Sequence, residues 1–483
     1  MTTTDQRFVG TLPRTSAAEA AKLVDENATV LVSGFGSVGD PKAVPSALAE
    51  SGRDLSLTVV SGGSTGPHID TELVEAGAIE RRLPFQGRDE IRTAINDGHV
   101  AFHDTHIARL GEQVETGRLV DSDVAIVEAV AVGPDWLVPT TSIGQTPAYV
   151  ASADEVIVEV NHAQPLALQQ FHDVYRPGLP PGREPIPLAA PGDRIGGPRI
   201  HFDPAKLVAV VESEERDTPY TFREPTAVDE AIAENLVMFL SREREVNPVL
   251  AEYLTLQFGV GSLGNALMEA VQELELDGVE ILYFGEVIQD GLLDLLEAGT
   301  VQSASATSLA LSADGQERLF STIERYADSV VLRPADVSNR AELIDRFGVV
   351  AINSALEVDV YGHANSTHID GRHIVSGIGG SGDFNQNSHL SVTALPSAVN
   401  ENRSRIVPHT PHVDHTEHDV DVVVTEHGVA DLRGKGPRER AQSLVESCAH
   451  PTHREALIEY LDRADSGGGH LPLDHETAFE WLS

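Results

Sequence analysis

Glu280-Ile281-Leu282-Tyr283-Phe284-Gly285-Glu286-Val287-Ile288-Gln289-Asp290 is the stretch on which the reading of this chain turns. After Glu280 the run is apolar and ends in an aromatic pair, which predicts a short buried strand over 280–284. Leucines three and four apart over 291–298 predict a helix next. Glu286 is therefore expected at the carboxyl end of a strand in an open α/β unit, where such sheets place their ligands. A free glutamate titrates near ~4.3, so at neutral pH it can act as an ionised nucleophile that needs no base. The plain alternative is a solvated glutamate at a strand end.

Upstream, residues 254–258 predict a strand, followed by Gly259-Val260-Gly261-Ser262-Leu263-Gly264 and a helix over 265–274, opened or capped by Asn265. The same order occurs near the N-terminus. A strand over 28–33 leads into Gly34-Phe35-Gly36-Ser37-Val38-Gly39, then a helix near 41–51 and a strand over 55–60. This repeat predicts two similar open α/β domains, residues 1–222 and 223–483, joined through a linker over 212–225. Thr226-x-x-Asp229 predicts a capping box at the start of a helix over 227–241. Further strands are expected at 124–132, 156–160 and 207–211. Residues 176–198, rich in Pro and Gly, read as a long ordered loop.

GxGxxG between strand and helix also cradles pyrophosphate. A dinucleotide site wants an acid at the end of the following strand. In the first half that place holds Ser61-Gly62-Gly63, so those glycines read as a tight turn and a close backbone approach. In the second half Glu286 stands where such an acid would, and spacing alone leaves a dehydrogenase open.

The formal net charge of −41 argues against nucleic acid as a partner. Lysine is confined to Lys22, Lys42, Lys206 and Lys435, and the acid is spread rather than blocked. Such a charge repels itself, but molar salt cuts the Debye length to ~3 Å. The composition reads as halophilic. The single cysteine, Cys448, fits a reducing compartment. Residues 1–15 lack the build of a secretion signal and no apolar run is long enough to span a bilayer. A cytoplasmic location without membrane contact is expected.

Ser376-Gly377-Ile378-Gly379-Gly380-Ser381-Gly382-Asp383-Phe384 exposes backbone N–H groups suited to an oxyanion hole. Asn339, Asn353, Glu357 and Asp359 add polar side chains near strand ends. His409-x-x-His412-x-x-His415-x-x-His418 fits neither the HExxH pattern nor a zinc finger, and no metal is expected there. A turn into a strand over 420–425 is the better reading. Asp104–His106, His172-Asp173 and Cys448 with His450 and His453 read as loop hydrogen bonds and core packing.

Taken together, SGFGSVGDPKAVP, LQFGVGSLGNA, GEVIQDGLLDLLEAG, SNRAELIDRFGVVAINSALEVDVYG, SGIGGSGDF, HVDHTEHDVDVVVTEHGVADLRG and CAHPTHREAL resemble the acetyl-CoA hydrolase/transferase family, the class I CoA-transferases. The resemblance covers about residues 24–464 and implies two domains of one open α/β type. It implies Glu286 as the nucleophile that forms an acyl-glutamyl anhydride and then a glutamyl-CoA thioester. It also implies Val260 and Gly380 as oxyanion donors, Asn339 beside the thioester, and Glu426 as a supporting acid. Contacts to CoA are implied at Gln257, Phe258, Gly259, Val260, Gly261, Gly379 and Gly380, with Asn353 counted among them. CoA is then substrate and covalent intermediate, with no permanent cofactor. The expected partners are an acyl-CoA and a small carboxylate, acting on a homodimer. Acetyl-CoA hydrolysis by the same glutamate is the alternative. Where relatives carry a lysine near CoA, residues 397–405 read SAVNENRSR, so Arg403 or Arg405 is the substitute. GGSGDF points to acetyl-, propionyl- or succinyl-CoA by analogy.

Overall fold

The computed structural model describes residues 7–272, 279–400, 402–474 and 476–479. Its contacts separate two compact units. The first comprises Met1–Thr221, Tyr283–Asp290 and Ser303–Leu343, and the second Phe222–Leu282, Gly291–Gln302 and Ile344–Ser483. The units are not the two sequence halves: the Glu286 segment packs with the N-terminal part of the chain.

In the first unit, β1 (Thr29–Val32), β2 (Leu57–Val60), β3 (Ile79–Leu83), β4 (Ala101–Phe102), β5 (Val124–Ala129), β6 (Glu155–Asn161) and β7 (Leu207–Ser213) form one sheet. Its order is β7-β6-β5-β1-β2-β3-β4, and every pairing is parallel. Each residue of β5 is buried, as a central strand covered on both faces requires. The strand order reverses between β1 and β5, and the first glycine loop leaves the sheet at that switch point. The helix Ala43–Ala49 lacks a capping side chain of its own. The buried Glu159 of β6 fills that role, accepting from the N–H groups of Lys42, Ala43 and Val44 at 2.9, 3.0 and 3.1 Å. A carboxylate at a helix N-terminus satisfies orphan donors and complements the dipole.

In the second unit, β8 (Tyr253–Phe258), β9 (Val350–Asn353), β10 (Leu390–Ala394) and β11 (Val422–Thr425) run parallel in that order, and β12 (Gly428–Asp431) closes the edge antiparallel. The helix Ala227–Val246 opens with the expected capping box of Thr226 and Asp229. The strand over 280–284 forms as read. The helix after the second glycine loop spans Ser262–Val271, three residues earlier than expected; Leu274 lies outside the described residues. Asn265 is thus inside that helix and does not cap it. Its Oδ1 instead accepts from Gly291 N–H at 2.8 Å, an orphan donor in the first turn of the helix Asp290–Ala298.

Residues 176–198 carry no helix or named strand. The expected linker is anchored at Asp217, buried against Lys42 of the first unit. Asp173 is buried in an ion pair with Arg333, and His172 Nε2 bonds Thr140 O at 2.9 Å. Cys448 is a core thiol that burial pushes up to about 12.

Candidate active site

Glu286 follows the strand Glu280–Phe284 and precedes the short strand Val287–Ile288. Within the first unit its backbone is held from several sides. Gly285 N–H donates to Ser305 O at 3.0 Å. The N–H groups of Thr307 and Ser308 donate to Glu286 O at 2.8 and 3.1 Å. Val287 and Ile288 pair in parallel with Ser308 and Leu309. Ile143 N–H and Gly144 N–H bond the backbone and hydroxyl oxygens of Thr307 at 2.9 and 3.0 Å. A side chain on so constrained a turn keeps its direction, as a positioned nucleophile must.

That side chain is half-buried, and Asn339 Nδ2 donates to its Oε1 at 2.6 Å. Asn339 is itself oriented: it is fully buried, and Ser338 Oγ donates to its Oδ1 at 2.8 Å. The first glycine loop lies close by. A Cβ on Gly36, where φ is +67°, would stand 3.5 Å from Ser308 Oγ and 3.7 Å from Val287 Cγ2. This is the close backbone approach expected of that loop. Phe35, Ile107, Val287, Ala310 and Ala335 form an apolar cluster here, with Tyr220 packed against it.

In the second unit the second glycine loop forms one wall of a pocket of about 320 Å³. Gly259, Val260, Gly261 and Ser262 face Ile352, Asn353, Ser354 and Ala394 at the carboxyl ends of β9 and β10. Gly259 is drawn in by its N–H bond to Ile352 O at 2.9 Å. A Cβ there would come 3.1 Å from Asn353 Oδ1. Gln257 and Asn353 exchange side-chain amide bonds at 3.1 and 3.0 Å, and Asn353 Nδ2 reaches Asn385 Oδ1 at 2.8 Å. This buried network pins the loop. Phe258 is buried in the core, so its backbone alone can meet a ligand. Arg223, read as linker in the sequence, also lines this pocket, and its N–H bonds Ser262 Oγ at 3.1 Å. The neighbouring capping box was the one local hint, because Asp229 grips the Arg223 guanidinium at 2.5 and 3.0 Å.

Gly379 takes φ +56°, a left-handed turn that suits glycine. The buried Gly380 then opens the helix Ser381–Asn387. Glu426 accepts from Ser397 N–H at 2.8 Å and Ser397 Oγ at 2.5 Å, which ties it to the SAVNENRSR stretch. There Arg403 pairs with Asp370 at 2.5 Å, and Arg405 Nη1 reaches Ala355 O at 3.4 Å. Burial raises the Glu357 carboxyl against the pull of its bond from Asn365. The run of four histidines does not converge. His412 meets Asp414 at 3.1 Å, His415 meets Ser366 and Ser381 at 3.3 Å, and His418 is exposed.

Residues 9–212 match the family model of the acetyl-CoA hydrolase/transferase N-terminal domain, and residues 315–461 that of the C-terminal domain. The chain belongs to the acetyl-CoA hydrolase/transferase family. It is 40% identical over 473 residues to the succinyl-CoA:acetate CoA-transferase of Clostridium kluyveri, covering 96% of this chain and 88% of that one. It is 39% identical over 452 residues to the acetyl-CoA hydrolase of Eremothecium gossypii, covering 90% and 86%. The crystal structure of RipA from Yersinia pestis aligns with a TM-score of 0.70 at 21% identity, over 92% of this chain and 96% of that one. That likeness bears on the α/β fold alone. As a member of the family, the protein is an enzyme of the CoA-transferase and acetyl-CoA hydrolase kind. Among the described residues no helix is long and apolar enough to cross a membrane.

Proposed function

We propose that the protein is an acyl-CoA:carboxylate CoA-transferase with Glu286 as its nucleophile. The observation that carries this is a half-buried carboxylate on a rigid turn, oriented by a buried amide 2.6 Å from one oxygen. The other oxygen attacks the thioester carbonyl; the C–S bond breaks, and an acyl-glutamyl anhydride and CoA thiolate result. The thiolate then attacks the γ-carbonyl of Glu286 and expels the acyl group as a carboxylate, leaving a glutamyl-CoA thioester. An acceptor carboxylate reverses these two steps on a new acyl group. Negative charge develops on the thioester oxygen in each attack, and backbone donors stabilise it there. By resemblance those donors are the N–H groups of Val260 and Gly380, with Glu426 a supporting acid. Gln257, Phe258, Gly259, Gly261, Gly379 and Asn353 are the CoA-binding set. This relay requires no resident cofactor.

The transferase reading is supported by the Clostridium relative, which covers 96% of the chain, and small acyl groups fit the succinyl-CoA, acetate and acetyl-CoA for which these relatives are named. Hydrolysis is the second reading, supported by the Eremothecium relative; it differs only in water attacking the same thioester. We place the enzyme in the cytoplasm as a homodimer adapted to high salt. Activity and circular dichroism should both rise from dilute to molar KCl, because screening relieves the repulsion of −41 charges. Full activity in dilute buffer would sink the halophilic assignment.

Incubation with acetyl-CoA in the absence of acceptor should leave an adduct of CoA less one water on Glu286, detected by intact mass. Glu286→Ala should abolish that adduct and lower turnover by on the order of 10⁴-fold or more, as loss of a covalent nucleophile does. Acetyl-CoA with succinate should exchange CoA without net thioester loss; steady release of free CoA would mean hydrolysis. An alanine variant that transfers CoA at the parent rate would overturn the mechanism.

A further inference from the structure

One histidine of the run, His409, gathers with residues far from it in sequence. Among the described residues, Asp359, His363 and His409 bring one ligand atom each within 4.8 Å of one another. Asp359 Oδ2 lies 2.8 Å from His363 Nδ1 and 3.1 Å from His409 Nδ1. We propose that these three side chains form a binding site for a zinc-class divalent metal ion, through Oδ2 and the two Nδ1 atoms.

Four features of the site support this. Asp359 is fully buried, and its Oδ1 is occupied by the N–H groups of Tyr361 and His363 at 3.0 Å each. Its Oδ2 is thereby turned towards the imidazoles, with only a long contact from Thr410 N–H at 3.4 Å. His363 presents Nε2 to Glu417 Oε2 at 2.7 Å. Metal binding would displace the proton that now bridges His363 Nδ1 and Asp359 Oδ2 at 2.8 Å, and Nε2–H donating to Glu417 would then give the usual outer support of a metal-bound imidazole. Among the described residues the buried His409 Nδ1 makes no well-aligned hydrogen bond, although Asp359 Oδ2 lies 3.1 Å away. Finally, tetrahedral zinc with bonds of 2.0–2.1 Å separates its ligand atoms by roughly 3.4 Å. The two carboxylate–imidazole spacings of 2.8 and 3.1 Å would open by about 0.6 and 0.3 Å to reach it, with all three ligand atoms already within 4.8 Å of one another. Two imidazoles, one carboxylate and a solvent molecule make a donor set suited to Zn²⁺. The ion would pin the turn 359–363 to the segment at 409 inside the second unit. It plays no part in the Glu286 chemistry, and this site stands or falls independently of that reading.

The test uses the full-length protein, stripped of metal by chelator and held in KCl. Zn²⁺ titrated by calorimetry should bind with one equivalent, and Co²⁺ should give the intense visible bands of a four-coordinate site. The thermal midpoint should rise with bound Zn²⁺. His409→Ala and His363→Gln should each weaken binding at least tenfold. Glu417→Gln should weaken it by about 10- to 100-fold, as loss of an outer partner does. His418→Ala, which removes an exposed imidazole, should change nothing. X-ray absorption of the Zn²⁺-loaded parent should show two imidazoles, and that measurement stands even where a variant fails to fold. Absence of stoichiometric binding, a spectrum without imidazole scattering, retention of affinity in folded His409→Ala, or its loss in His418→Ala would each overturn the proposal. In those cases His363 is a structural imidazolium held between Asp359 and Glu417.

Discussion

The two glycine loops carry the same GxGxxG pattern between a strand and a helix, yet their surroundings are opposite. The first, Gly34–Gly39, is packed shut within its unit. A Cβ on Gly34 would meet Asp40 Cβ at 2.8 Å, and one on Gly39 would fall 2.9 Å from Ser142 N and into the Ser142 hydroxyl. Lys42 and Asp217 fasten it from below: Lys42 Nζ donates to Asp40 O at 2.6 Å, and Gly39 N–H donates to Asp217 at 3.0 Å. The second loop is open. Val260 is exposed, a Cβ on Gly261 would meet nothing within 4 Å among the described residues, and the loop walls a pocket. A shared motif therefore serves close packing in one place and leaves room for a ligand in the other. The glycine pattern reports what the backbone must do, not what it binds.

The largest way to break this contrast is at Lys42. Its ammonium is buried between Glu128 and Asp217 at 2.7 and 2.9 Å. Lys42→Met leaves those acids without a counter-charge and should cost about 3–5 kcal/mol in chemical denaturation. The same cluster predicts a pH effect. Burial raises Asp40 to about 6, and burial also raises Glu128 above the ordinary carboxylate range against the pull of Lys42. Asp40 therefore holds a proton in the folded state that the unfolded chain has already released, while Glu128 accepts from Lys42, Thr140 and Asn161 as the carboxylate of the ion pair. Folded protein then binds more protons, so this contribution to stability should fall as pH rises from about 4 through 6. Denaturation midpoints that climb over that window would contradict a protonated Asp40.

Gly39→Ala should rank next. Overpacking against Ser142 and a φ of +70° act together, for about 2–4 kcal/mol lost. Gly261→Ala meets open space and bears only the strain of φ +135°, about 1–2 kcal/mol. Thermal melts of the pair compare the loops directly; equal losses would mean that the second loop is as tightly enclosed as the first. The smallest effect belongs to Asn265→Ala, which removes the acceptor for Gly291 N–H and should cost about 1 kcal/mol without loss of turnover. A selective drop in turnover at an unchanged melting curve would instead make Asn265 a substrate ligand.

Local pattern alone determined a good deal here. The strand over 280–284, the strand–glycine–helix order in both halves and the capping box of Thr226 and Asp229 depend on residues within a turn or two of each other. Hydrophobic period and end-capping encode such features directly. Even the place of Glu286, just past a strand end, was legible in this way. The error at Asn265 shows the limit. The residue type signals capping, but which helix it caps is set 26 residues away. The tertiary structure alone decided that the Glu286 segment packs with the N-terminal unit, and that Asn339, 53 residues on, orients its carboxylate. It also decided that one lysine of four is spent on a buried charge cluster, and that His409 faces Asp359 while its run-mates face elsewhere. These outcomes follow from which strands become neighbours in a sheet. That pairing is settled by long-range burial and loop closure rather than by any short stretch of sequence.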